Sequence, residues 1–289
     1  VTGDRICVFG EVLFDHFPDG TKVLGGAPFN VSWHLQAFGQ SPAFVSRVGA
    51  DREGSAVYEA MQRWGMSTDF LQTDPDLPTG RVTVSLDSGE PTFVIEEPSA
   101  WDAIAAQPQP PAFTLFYHGT LAMRGSSANA AADIIRAGKP DIIFLDVNLR
   151  PPWWRRQDVE KLLRHAHWVK LNVTELEALH GNADAASFMR AHAIEGLVLT
   201  HGADGAEIIS ASGERTLALP AGEVSVVDTV GAGDAFASVI ILGLINSWPL
   251  QRSAKRAQDF ATAIVGNRGA TVTDPDFYHA FLDAWAVNN

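Results

Sequence analysis

The sequence predicts an α/β fold: one mostly parallel sheet covered by helices on both faces, with a small β appendage. Two patterns lead there. From residue 115 onward, short runs of β-branched and aromatic residues alternate with segments of helical spacing, the arrangement of βα units with a fully buried parallel sheet. Before residue 100 that alternation is broken by two short strand pairs built around turn residues. Length agrees, because 289 residues fit one α/β domain with an appendage better than two equal domains.

Each element has its own signal. Residues 6–10 (Ile-Cys-Val-Phe-Gly) read as a buried strand. Residues 13–17 and 22–24 read as short strands around the turn Pro18-Asp19-Gly20. Helical spacing over 30–38 stops at Gly39, 43–48 is a strand, and a helix over 53–64 stops at Gly65. Strands 80–87 and 91–96, joined at Ser88-Gly89-Glu90, alternate apolar and polar residues. A proline-rich connector at 107–111 leads into the regular half. There, strands 115–118, 142–146, 168–171 and 196–200 alternate with helices 126–137, 158–165, 174–179 and 183–192. A late antiparallel hairpin is expected at 207–210 and 215–218, an apolar helix opening at Asp234, and a final long helix over 253–266.

Composition narrows the function. Thirty-four acids against 21 bases give a net charge of −13, which argues against nucleic acid as a standing partner while leaving room for a nucleotide held by local amides. The longest apolar run, 239–245, falls far short of the roughly 20 residues of a membrane span. No signal-peptide pattern opens the chain, since Asp4 and Arg5 interrupt it, so a cytoplasmic location is the expectation. The single cysteine, Cys7, lies in an apolar run, where a buried and inert thiol is expected.

The most informative stretch is Asp228-Thr229-Val230-Gly231-Ala232-Gly233-Asp234-Ala235-Phe236. Small residues precede an acid that opens a helix, so the N–H groups of Gly231, Ala232 and Gly233 can face one concavity at a helix N-terminus. Such a place favours phosphate. Asp234 would repel a ground-state phosphate, yet it can take a proton from a hydroxyl attacking that phosphate. Its other reading is a simple helix cap.

This segment closely resembles the C-terminal signature of the ribokinase-like (PfkB) sugar kinases. The N-terminal signature is similar to Gly25-Gly26-Ala27-Pro28-Phe29-Asn30-Val31-Ser32. Gly10-Glu11-Val12-Leu13-Phe14-Asp15, Asp146-Val147-Asn148-Leu149-Arg150 and Asn172-Val173-Thr174-Glu175 fall in the family's order, and the resemblance runs from about residue 6 to about 273. It implies a three-layer ribokinase-like fold in a single domain, 1–289, with a β-sheet lid formed from about 12–24 and 80–97. Two positions depart from the pattern. Phe29 stands where a small residue is common, which could narrow or reshape the sugar side, and Val239 replaces a helix Gly or Ala, which bears on packing.

The resemblance assigns sugar binding to Asp15, Gly25, Gly26 and Asn30. The chemistry agrees, because the acid accepts hydroxyls, the glycines admit the ring, and the amide does both. A turn acid, a loop glycine pair and a helix cap would explain the same residues. Arg150 follows a strand C-terminus and can grip a transferred phosphate, while Asp146 and Asn148 either join it or shape the loop. By family likeness Asn172 and Glu175 orient Mg²⁺ and its waters beside the nucleotide, although a capping arrangement fits them equally. Thr200, Gly202 and Gly205 resemble the family's turn on the nucleotide side. Many relatives hold K⁺ beside the anion hole, and the matching acid is Asp228 with carbonyls of Val230 and the loop near Arg268.

The expected function is an ATP-dependent sugar kinase, with fructose as first acceptor and 2-keto-3-deoxygluconate, ribose or a nucleoside as alternatives. Its partners would be sugar and ATP alone, without nucleic acid or membrane, and a homodimer stays open. A non-catalytic sugar or nucleotide sensor on the same fold is the rival class. A hydride-transferring Rossmann enzyme fails because no Gly-x-Gly-x-x-Gly follows the first strand.

Overall fold

A computed structural model describes residues 6–87, 90–106, 113–181, 184–220 and 226–287. The expected turn at 88–89, the connector at 107–111 and the start of the helix at 183 lie outside these residues. The first half contains β1 (Ile6–Phe9), β2 (Leu13–His16), β3 (Lys22–Gly25), α1 (Ala27–Ala37), β4 (Ala43–Gly49) and α2 (Arg52–Arg63). It continues with β5 (Leu71–Asp74), β6 (Gly80–Asp87) and β7 (Glu90–Ile95). The regular half contains β8 (Leu115–His118), α3 (Gly125–Gly138), β9 (Ile142–Asp146), α4 (Arg156–Leu163), β10 (Trp168–Asn172) and α5 (Val173–His180). Then come α6 (Ala185–His192), β11 (Gly196–Thr200), β12 (Ala206–Ser210), β13 (Arg215–Ala218), α7 (Ala232–Ile245), α8 (Leu250–Val265) and α9 (Pro275–Val287).

Among the described residues the large sheet runs β13-β12-β11-β10-β9-β8-β1-β4-β5. It is parallel except for the late hairpin, where β11, β12 and β13 pair antiparallel. Strand alternation shows why both faces are covered. Ile6 and Val8 join one core cluster with α1, α7 and α8, whereas Cys7 and Phe9 join another with α3. Farther along the sheet, Leu197 and Leu199 pack with α4, α5 and α6, and Val198 packs on the opposite side. Helices therefore flank the sheet in three layers, with α1 buried almost all round, its polar Asn30, Ser32 and His34 included, because it lies deep within one of them. The small sheet, β3-β2-β6-β7, stands apart. Its β2–β6 pairing is parallel and the other two pairings are antiparallel.

Several expectations need correction. The helix over 253–266 is not the last, since α9 follows it and buries Tyr278 and Trp285 in the core. Strand β5, which no sequence pattern announced, is an edge strand of only four residues, three of them polar, too short to carry a period. Helix α1 begins at Ala27 rather than at 30, because Pro28 sits within its first turn, where a missing N–H costs nothing. Phe29 does not narrow a sugar site. It is buried, with its ring 5.8 Å from those of Trp33 and Phe44. Val239 is likewise a core residue, as its packing role requires.

Candidate active site

The two glycine-rich segments meet because each opens a helix of the same layer. Gly26 is the N-cap of α1 at φ 109°, and Gly231 is the N-cap of α7 at φ 82°. Neither position suits a side chain. A Cβ on Gly26 would lie 2.7 Å from the carbonyl oxygen of Glu11, and one on Gly231 would overlap Ala270. Asn30, on the first turn of α1, donates from Nδ2 to Oδ2 of Asp234, on the first turn of α7, at 2.8 Å. That bond joins residues 204 positions apart.

Asp234 does not cap its helix, since α7 has no side-chain cap. Its carboxyl is pushed up to about 6, first by burial and next by the Asp146 carboxylate, against the pull of Asn30, Lys170 and Arg150. Below the loop lies a buried polar network. Lys170 Nζ donates to Asp146 Oδ1 at 2.7 Å, and the Tyr117 hydroxyl donates to Asp146 Oδ2 at 3.1 Å. Lys170 and Asp146 are direct partners in the β9–β10 register. The ammonium also sits against the anion loop, 3.2 Å from where a Cβ on Gly233 would be. Sequence reasoning gave Lys170 no role. Its signal was a lysine inside an apolar strand, legible only once the partner strand is known.

Asp15 lies on β2 beside Gly25, where an added Cβ would be 3.5 Å from Asp15 Oδ2. Burial raises the Asp15 carboxyl to about 6, with Asp228 adding to the rise and Arg150 and His16 opposing it. Arg150 is exposed, yet its charge is felt at Asp15, Glu11 and Asp234, each of whose carboxyls it pulls down. Glu11, also missed, is buried with Oε2 unpartnered, and burial lifts its carboxyl to about 7. The Asn30 Oδ1 atom is likewise buried without a partner. Two acceptors lacking donors in one hollow fit a ligand that brings hydroxyls.

On the other side of Gly233 a cleft of about 360 Å³ is lined by Thr200, Gly202, Gly205, Ala232 and Gly233, with α8 supplying Gln258, Ala261, Thr262 and Val265. The α8 wall is apolar or neutral, suited to a flat heterocycle, and no motif announced it. Gly202 and Gly205 take φ 62° and 94°, and a Cβ on Gly205 would strike the Ala218 carbonyl. Asn172 and Glu175 form a reciprocal capping box on α5. Asn172 N–H donates to Glu175 Oε2 at 2.9 Å, and Glu175 N–H donates to Asn172 Oδ1 at 2.8 Å. Leu149 N–H donates to Glu175 Oε1 at 3.0 Å. Both oxygens are thus oriented but keep a lone pair each, which fits holding a hydrated Mg²⁺ through water better than direct chelation. Among the described residues no three His, Cys, Asp or Glu side chains gather as a metal cage. Asp228 accepts from Val230 N–H and Gly269 N–H, both at 3.0 Å, so it ties the anion loop to the loop after α8. Arg268, which could compete for that place, is exposed.

A three-layer α/β fold with an acid at a glycine-opened helix defines the class: the chain is a sugar kinase. It belongs to the pfkB family of carbohydrate kinases, whose model matches residues 4–276. Aminoimidazole riboside kinase of Salmonella typhimurium is 29% identical, the match covering 98% of this chain and 97% of that protein. Fructokinase of Klebsiella pneumoniae is 30% identical, over 90% of each. The crystal structure of aminoimidazole riboside kinase from Salmonella enterica, complexed with aminoimidazole riboside and an ATP analog, superposes with a TM-score of 0.82 at 25% identity, covering 96% of this chain and 99% of that one. No helix of the described residues is long and apolar enough to cross a membrane.

Proposed function

We propose that this kinase transfers the γ-phosphate of ATP to the primary hydroxyl of D-fructose, giving fructose 6-phosphate. The observation that carries the reaction is the 2.8 Å bond from Asn30 to Asp234, which puts the expected sugar ligand and the expected base side by side at the edge of the anion loop. In this reading Asp234 takes the hydroxyl proton as the sugar oxygen bonds to the γ-phosphorus and the bond to ADP breaks. The amides of Gly231, Ala232 and Gly233 receive charge on the transferring group, and Arg150 faces it from the acceptor side. Asp15, Gly25, Gly26 and Asn30 hold the sugar. Thr200, Gly202, Gly205 and Asn172 border the nucleotide, whose base occupies the α8 cleft. Glu175 holds Mg²⁺ through its water shell, and the ion neutralises phosphate charge when bound. Asp228 is the anionic ligand of a K⁺ ion that orders the loop. The small sheet is a lid over the sugar, which keeps water from competing with the hydroxyl.

Fructose as acceptor draws support from the GEVLFD and GGAPFN segments and from the fructokinase relative. The equally similar aminoimidazole riboside kinase supports a riboside as second reading. A coupled ATP-consumption panel of fructose, 2-keto-3-deoxygluconate, ribose and aminoimidazole riboside separates them. Fructose should give the highest kcat/KM, and a higher value for any other compound replaces it. Asp234→Asn should keep the fold and lower kcat by at least about 10²-fold. A variant with more than about half of the wild-type kcat would refute the base.

A further inference from the structure

One buried carboxylate gathers a lysine, an arginine and a histidine from three strands of the small sheet. Glu53, on the first turn of α2, has its side chain 8% exposed. Its Oε1 lies 3.0 Å from His16 Nε2 of β2 and 2.5 Å from Lys22 Nζ of β3, and its Oε2 lies 2.7 Å from Arg81 Nε of β6. His16 pairs directly with Lys22, and Arg81 pairs with Phe14 two residues before His16, so the three side chains share one face of the sheet. Asp15, by alternation, is on the other face. The neighbouring Asp51 fixes the same helix end to the root of β6, accepting from the Thr79 N–H and hydroxyl at 2.8 Å each. Without Glu53, Lys22 and Arg81 would face each other across one side of the sheet, with Asp51 as the counter-charge left to Arg81 from the large layer. Burial alone would raise the Glu53 carboxyl, but the hydrogen bonds from Lys22 and Arg81 reverse this and hold it below the usual range.

We propose that Glu53 is a positioning residue that seats the small sheet over the acceptor site and thereby couples ATP use to sugar phosphorylation. The proposal rests on the lid reading given above. When the seat is lost, Asp15 moves with β2 and water reaches the phosphate. In that leak a water oxygen bonds to the γ-phosphorus as the bond to ADP breaks. The water proton passes to Asp234, and the products are ADP and inorganic phosphate.

Glu53→Gln tests it, with inorganic phosphate and sugar phosphate measured in the same reaction and amide hydrogen exchange followed in 22–25, 80–87 and α7. The expected result is a phosphate-to-sugar-phosphate ratio and a sugar KM each raised by about tenfold or more, with the ATP KM changed by less than about twofold. Exchange should quicken in the two strand segments and not in α7. A folded variant with both the ratio and the sugar KM within about twofold of wild type would overturn the proposal. If Glu53→Gln does not fold, Lys22→Gln and Arg81→Gln decide: each should shift the same quantities less far, and no shift in either overturns it. A wild-type protein that phosphorylates no sugar would sink the kinase reading instead, while the exchange comparison still tests the seat.

Discussion

Asp234 can act as a base only when ionised, and its carboxyl is raised to about 6. The kcat should therefore climb with pH through about 6 and level off above it. Lys170 is one of the charges restraining that rise, so Lys170→Met should move the acid limb to higher pH as well as lowering kcat. A pH–rate profile that does not move would separate Lys170 from the base. Glu11 gives a stability prediction with a definite sign. Its carboxyl titrates at about 7 when folded against 4.5 for the free side chain, so the folded state binds an extra proton between those values. Stability from this group is full below 4.5 and lost as pH rises through 7. Glu11→Gln should accordingly raise Tm relative to wild type at pH 8, by an amount equivalent to roughly 1–3 kcal/mol, with most of that gain absent at pH 5. Thermal melts at both pH values check it. Asp234, Asn30 and Asp15 were legible in the sequence because each sits in a short motif with a chemical reason. Glu11 and Lys170 were not. What matters about them is burial and a neighbour on another strand, and neither is a local property.

At the scale of elements, the N-terminus of α1 is the most constrained joint. Gly26 combines φ 109° with the near contact to the Glu11 carbonyl, so Gly26→Ala adds a strained backbone to a clash. A cost of about 1–3 kcal/mol is expected. It should appear as a lower Tm and as a sugar KM raised more than the ATP KM, since Asn30 is four residues on along the same helix. Equal effects on both substrates would place α1 on the wrong side of the site. Most strands and helices were readable because buried strands and amphipathic helices differ in period. Helix α9 was not: Phe277, Tyr278, Phe281 and Trp285 look like aromatic excess until the surface they cover is seen. The α8 wall of the cleft was unreadable for the opposite reason, since Ala261, Thr262 and Val265 are ordinary helix residues.

At the scale of the whole molecule, the site is assembled from segments that only the topology brings together. The strand order places β1 inside the parallel run, between β8 and β4, an order that no local pattern encodes. Asp228 joins two such distant segments, residues 230 and 269. A K⁺ ion there should raise kcat or ATP affinity without changing sugar affinity. Assays in Tris-buffered Mg-ATP, with KCl replaced by NaCl or a large organic cation at constant ionic strength, check this. No preference for K⁺ would remove the ion and leave the kinase reading intact.

The pairing of Lys170 with Asp146 has a consequence for how the chain finds its structure. Around them β9 and β10 are Ile, Phe, Leu and Val, which would pack nearly as well if one strand slid along the other. The lysine and the aspartate forbid that slide. They are opposite each other in the β9–β10 ladder, and a slip by one residue would turn their side chains to opposite faces of the sheet. Each charge would then be buried without its partner, at a cost of roughly 3–5 kcal/mol by comparison with other broken buried pairs. The same two side chains therefore act as an alignment key, favouring the native β9–β10 register over a slipped one.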